Sequence, residues 1–127
     1  MGNQRNQGNL HDAGMYGQKE AEEYLLKKGC QILKRNYRIR TGEIDIIALD
    51  RGSGYIAFVE VKYRRGLGHG LPREAVTKAK QRHIIRTAMH YISANSLDSQ
   101  DFRFDVVEVL DRDGQIYVNH IENAFDT

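Results

Sequence analysis

Gly42-Glu43-Ile44-Asp45-Ile46-Ile47-Ala48-Leu49 and Ile56-Ala57-Phe58-Val59-Glu60-Val61-Lys62 are the two stretches that decide how this chain folds. Both are short apolar runs, and Arg51-Gly52-Ser53-Gly54 between them is turn-forming, so together they predict a β-hairpin from Glu43–Leu49 and Tyr55–Tyr63. The first run is apolar on both faces, which suits an inner strand covered by helices on both sides. Side chains alternate along a strand, so Ile56, Phe58, Glu60 and Lys62 share one face. A four-residue loop pairs Asp50 with Tyr55, and counting back along the antiparallel ladder sets Asp45 opposite Glu60. Opposed residues share a face with Cβ atoms about 5 Å apart. Two carboxylates at that separation repel unless a cation lies between them. Mg²⁺ or Mn²⁺ would fill that place, because hard cations prefer oxygen ligands and share carboxylates with substrate phosphate. Lys62 stands roughly 7 Å further along the same row. There it could hold an attacking water or stabilise charge developing on a phosphate. A cross-strand salt bridge from Asp45 to Lys62 is the plainer reading of the same residues.

Outward from this hairpin, Asp12 is a candidate cap for a helix running to about Lys28, with Ala21, Tyr24, Leu25 and Lys28 on its inward line. Cys30 to Arg40 reads as a strand, and Gly66 to Gly70 as a loop. A second helix is expected from about Arg73 to Ala94. Phe102–Leu110 and Gln115–Ile121 are two further strands, joined by the hairpin signal Asp111-Arg112-Asp113-Gly114. The order helix, three strands, helix, two strands predicts a three-layer α/β domain around a mixed sheet. It would occupy residues 12–127, behind a flexible Asn-, Gln- and Gly-rich leader over 1–11.

A chain of 127 residues supports one core and not two. No apolar run reaches the ~18 residues of a membrane helix, and the opening residues lack the core of a secretion signal, so no membrane association is expected. The single cysteine, Cys30, excludes an internal disulfide, and no Cys/His cluster is spaced for zinc. A cytoplasmic setting is expected. None of the five histidines is spaced as a metal ligand, and a surface role is expected for each. Asp105 is expected to be a structural carboxylate paired with a nearby base. The charge is unevenly spread. Residues 62–86 hold eight Lys and Arg against one acid, Glu74, a net +7 that leaves the rest of the chain at −5. Such a concentration fits a phosphate-binding surface, or equally a solvated basic helix.

Gly42 to Ala48 followed by Phe58-Val59-Glu60-Val61-Lys62 resembles the D…ExK core of the PD-(D/E)xK, restriction-endonuclease-like nuclease superfamily. The closer resemblance is to the bacterial YraN family, small relatives of Holliday-junction resolvases. It extends to Gly17–Gly29, Ile32–Arg38, Ala75-Val76 to Arg82, Phe104-Asp105-Val106 and Asn123-Ala124-Phe125, roughly residues 15 to 125 in all. Ile44 stands where the superfamily's name has proline, a variable position. The resemblance implies a metal-dependent endonuclease acting on DNA, including branched or damaged DNA. In it, Asp45 and Glu60 would hold the metal with the Val61 carbonyl, and Lys62 would serve the water or the transition state. Glu20 falls where resolvase-like members carry an acid on the first helix, and is otherwise an exposed glutamate. Gln81 shares a helical line with Ile85, Ala88 and Ile92, where related nucleases often carry a glutamine beside the lysine. It reads equally as a boundary residue bonding a loop carbonyl. Lys78, Arg82 and Arg86 form an i, i+4, i+8 ridge that, with Arg64 and Arg65, would grip phosphates without sequence choice. Symmetric cutting of four-way junctions would require a homodimer. The alternative is a non-catalytic nucleic-acid-binding module that keeps the fold.

Overall fold

A computed structural model describes residues 2–66 and 76–127, with residues 2–13 described by their backbone alone. The elements are α1 (Gly2–Lys27), β1 (Cys30–Ile39), β2 (Gly42–Asp50), β3 (Ile56–Arg65), α2 (Lys78–Ala94), β4 (Phe102–Arg112) and β5 (Gln115–Phe125). That is the order the patterning predicts. The strands form one sheet in sequence order, antiparallel throughout except for the parallel pair β3 and β4. Parallel neighbours need a long crossover, and α2 lies in it.

One helix covers each face. Ala21 and Leu25 of α1 pack on Ile46, Ala48, Ala57, Val59 and Val107. Ile84, Ala88 and Tyr91 of α2 pack on Ile44, Ile47, Phe58, Phe104 and Val106. β2 sends apolar residues into both clusters, which is why its sequence is a run rather than an alternation. The result is an α/β, three-layer, restriction-endonuclease-like core. No described helix is long and apolar enough to cross a membrane.

Two boundaries differ from the expectation. Helix α1 begins at Gly2, so Asp12 lies inside it rather than at its cap, and residues 2–11 are helical where the composition predicts a flexible leader. Once packing anchors a helix, each added residue gains a backbone bond at little further cost, so weak formers such as Asn and Gly can be carried along. Helix α2 begins after Thr77, whose hydroxyl accepts the Lys80 N–H at 3.1 Å. The expected start at Arg73, and the loop from residue 67 to 70, lie outside the described residues.

Two glycines let the helices close on the sheet. A Cβ on Gly17 would sit 2.8 Å from the Tyr63 Cβ, so α1 rests against β3 only because that position has no side chain. A Cβ on Gly42 would collide with the Thr87 hydroxyl and lie 3.0 Å from the His83 carbonyl oxygen. Its absence brings α2 onto the start of β2.

Candidate functional site

The ladder between β2 and β3 runs from Leu49 opposite Ile56 to Ile46 opposite Val59, and stops. Beyond that point β2 stays paired with β1 as far as Gly42, and β3 with β4 as far as Arg65. The two inner strands therefore fork. The first residues past the fork are Asp45 and Glu60, as the register count from the Asp50–Tyr55 pair (N···O 2.9 Å) requires. Where the next ladder bond would have been, Asp45 Oδ2 accepts the Val61 N–H at 2.8 Å.

Glu60 is 6% exposed and Asp45 lies half-buried beside it. Burial, the facing Glu60 charge and a hydrogen bond between the two carboxyl groups push Asp45 up to about 7, against the lowering effect of the Val61 N–H. The Lys62 ammonium stands 3.5 Å from Glu60 Oε2 and Lys80, from α2, stands 3.5 Å from the same oxygen. The salt-bridge reading pairs Lys62 with Asp45; its partner here is Glu60.

Sequence patterning misses Lys80, which enters it only as one charge of the basic segment. A signal is present nonetheless. A lysine in the first turn of a helix opposes the helix dipole, and α2 has no acid in that turn to offset it. Such a cation needs a carboxylate from elsewhere, and Glu60 supplies it.

The remaining candidates divide. Glu20 bonds the Tyr16 hydroxyl and is not among the residues lining the cleft at Asp45; Glu22 and Glu43 are. Gln81 donates its amide to the Val76 carbonyl at 3.0 Å, which is the boundary reading and not a contact with Lys62. Arg64 is committed to the buried Glu108, Nε to Oε2 2.5 Å, so it is no free phosphate grip. Arg65 is exposed and bonded to Tyr63. Lys78, Arg82 and Arg86 are exposed along one side of α2.

Two further features lie beside α1. Asp105, fully buried, accepts from Arg103 Nε (3.0 Å), the His120 ring (2.8 Å) and the Asn123 N–H (3.0 Å). The expected structural pairing is present, but His120 is buried, its side chain 3% exposed, where a surface place is expected. It lies at a strand position that faces α1, and the carboxylate beneath that helix draws it inward. The second feature is an open cleft of about 1140 Å³ between α1 and β1, lined by Asp45 and Val61, whose walls include Tyr16, Gln18, Asn36 and Tyr63.

Among the described residues no group of three or more His, Cys, Asp or Glu converges as a ready metal cage. Two carboxylates remain. That donor set fits Mg²⁺, which keeps several waters and is typically held by one or two carboxylates together with substrate phosphates.

Comparison with known proteins bears on this arrangement. The family model described as "Uncharacterised protein family UPF0102" matches residues 17–109, which include the fork, Lys62 and Lys80. A UPF0102 protein of Trichlorobacter lovleyi is 52% identical over 114 residues, 89% of each chain. One of Clostridium acetobutylicum is 51% identical over 115 residues, 89% of this chain and 93% of its own. One of Lachnoclostridium phytofermentans is 49% identical over 114 residues, 89% and 92% of the two chains. With matches of that extent and identity, the chain belongs to the UPF0102 (YraN) family.

Proposed function

We propose that this protein is a metal-dependent nuclease that hydrolyses phosphodiester bonds in DNA at the β2–β3 fork. The observation that carries the reading is the meeting of Asp45 and Glu60 with two lysines on Glu60. A fold has no structural need to press two carboxyl groups together half out of water. The repulsion costs stability, and such pairs mark sites where charge is handled.

Asp45 and Glu60 would hold Mg²⁺ or Mn²⁺, with the Val61 carbonyl as a further ligand. Bound there, the metal would polarise the phosphate and lower the pKa of a coordinated water. Binding would displace the proton held at Asp45, so metal affinity would rise with pH. Lys62 and Lys80, released from Glu60, place positive charge against the oxygens on which charge builds during attack. Lys78, Arg65, Arg82 and Arg86 would contact flanking phosphates. Branched or damaged DNA is the proposed substrate, and a four-way junction would take a homodimer.

The test is a panel of linear, flapped and four-way DNA with Mg²⁺ or Mn²⁺. Wild type should cut at least one member. Asp45→Asn should abolish cutting and weaken Mn²⁺ binding in calorimetry. Lys62→Ala should slow cutting by ~10²–10³-fold, as removal of a preorganised charge contact typically does, while still binding Mn²⁺. A wild type that binds DNA and cuts no member would favour the second reading, a non-catalytic nucleic-acid-binding module.

A further inference from the structure

The cleft beside Asp45 has walls unlike those of a phosphate-binding groove. Apart from Asp45, its acids Glu22 and Glu43 are already paired, with Arg35 (2.8 Å) and Arg38 (2.5 Å), so Arg35, which also lines it, is engaged. Beside the exposed Lys19, what it offers is flat apolar surface and amides. Tyr16 is 40% exposed and Met15 61% exposed, neighbours on α1 at the mouth of the cleft. Tyr16 packs against Tyr63 in a T-shaped arrangement, ring centroids 5.8 Å apart, and keeps much of its ring exposed. Across from them Gln18 and Asn36 form a reciprocal amide pair, each donating to the other at 2.9 and 3.0 Å. That is the paired donor and acceptor pattern that nucleobases present on their own edges. Gln18 keeps a second N–H and a second lone pair for a ligand. Asn36 is held at φ 49°, a left-handed conformation that asparagine tolerates better than most residues.

We propose that this cleft receives an unpaired stretch of a DNA strand, with one base stacked on Tyr16 and its edge at Gln18 and Asn36. The placement of the cut phosphate at Asp45 rests on the nuclease reading; the base site does not. At about 1140 Å³ the cleft exceeds the roughly 300–1,000 Å³ of pockets that enclose one small ligand, and it is open at the side. It therefore suits a nucleotide still attached to its neighbours. Asp45 lines the cleft and meets Glu60, whose lysines come from β3 and α2. A strand entering from the α1 side would bring the phosphate next to its stacked base up to the two carboxyl groups. A base inside a duplex is stacked on both faces and has none to offer Tyr16, so the cleft selects for strands that are already open.

The experiment uses the full chain in EDTA, so that no cleavage enters the readout. The probes are a single-stranded oligonucleotide carrying 2-aminopurine, a flap with the label in its unpaired arm, and a blunt duplex with the label paired. Stacking should quench the label in the first two probes on binding and not in the third. Tyr16→Ala should weaken single-strand binding by roughly 5- to 100-fold, the effect of removing one base–aromatic stack, and abolish the quench. Duplex affinity should be unchanged. Tyr16→Phe should restore both, which separates stacking from any disturbance of α1. Gln18→Ala should weaken binding of the labelled single strand while leaving the duplex alone. The inference is overturned if Tyr16→Ala leaves single-strand binding intact, or if it weakens duplex binding equally. A wild type that cuts DNA yet never quenches the label overturns it alone. A wild type that quenches the label yet cuts nothing upholds it and overturns the nuclease reading instead.

Discussion

Asp45 sits where its protonated form is favoured: burial, the facing Glu60 charge and the bond to the Glu60 carboxyl outweigh the Val61 N–H, which favours the charged form. With its pKa raised from 3.8 to about 7, the folded chain holds an extra proton between those values compared with the unfolded chain. Stability therefore falls as pH rises through about 4 to 7, and is level above that window. Asparagine at this position lacks the penalty, because its carbonyl can accept from Val61 and its amide can donate to Glu60. In metal-free buffer Asp45→Asn should melt close to wild type near the acid end of that window, at about pH 4, and above it at about pH 8. Each ~1 kcal/mol of difference would appear as roughly 4 °C in a domain of this size. A variant that melts no higher than wild type under the alkaline condition would show that the carboxyl pair carries no strain. The shared face of Asp45, Glu60 and Lys62 is legible in the sequence because strand alternation and loop length fix it by counting. Lys80 and the Arg64–Glu108 pair are not, since each depends on how an element packs across another, which no local period encodes. Glu20 and Gln81 come from resemblance, and the chain uses them for Tyr16 and for the start of α2.

At the scale of elements, position in α1 inverts the usual effect of replacing glycine. In an exposed helix interior Gly→Ala gains up to about 1 kcal/mol from helix propensity. Gly14 has nothing within 4 Å of an added Cβ, so Gly14→Ala should raise the melting temperature by roughly 4 °C or less. Gly17 has the Tyr63 Cβ in the way. Overpacking a tight contact costs typically 1–3 kcal/mol, more than the propensity gain, so Gly17→Ala should lower it. Equal shifts for the two variants would mean that α1 does not bear on β3. All seven elements are legible from their periods and turn residues, down to the Asp113-Gly114 hairpin, both of whose residues have positive φ. Helix starts are the weak point, because they are set by packing partners as much as by capping residues. The α1 start at Gly2 is such a case.

Across the whole molecule, the fork gives the two faces of the sheet different work. The α1 face carries the aromatic and amide cleft, while the α2 face carries Lys62, Lys80 and the exposed ridge of Lys78, Arg82 and Arg86. Under the proposed function the ridge meets phosphates by charge alone. Binding should then fall steeply with salt, since each phosphate neutralised by Lys or Arg releases condensed counterions. Replacing Lys78, Arg82 and Arg86 together with Ala should reduce the slope of log affinity against log salt by up to about one unit for each phosphate no longer neutralised. Duplex binding should suffer more than single-strand binding, because the stacked base in the cleft persists when the ridge is gone. The three side chains are exposed and hold no core residue, so the melting temperature of the triple variant should stay near that of wild type. A triple variant with the wild-type salt slope on duplex would return the ridge to a solvated helix face. The phosphate path would then have to run over other cations, with Arg65 and Lys80 the first to test.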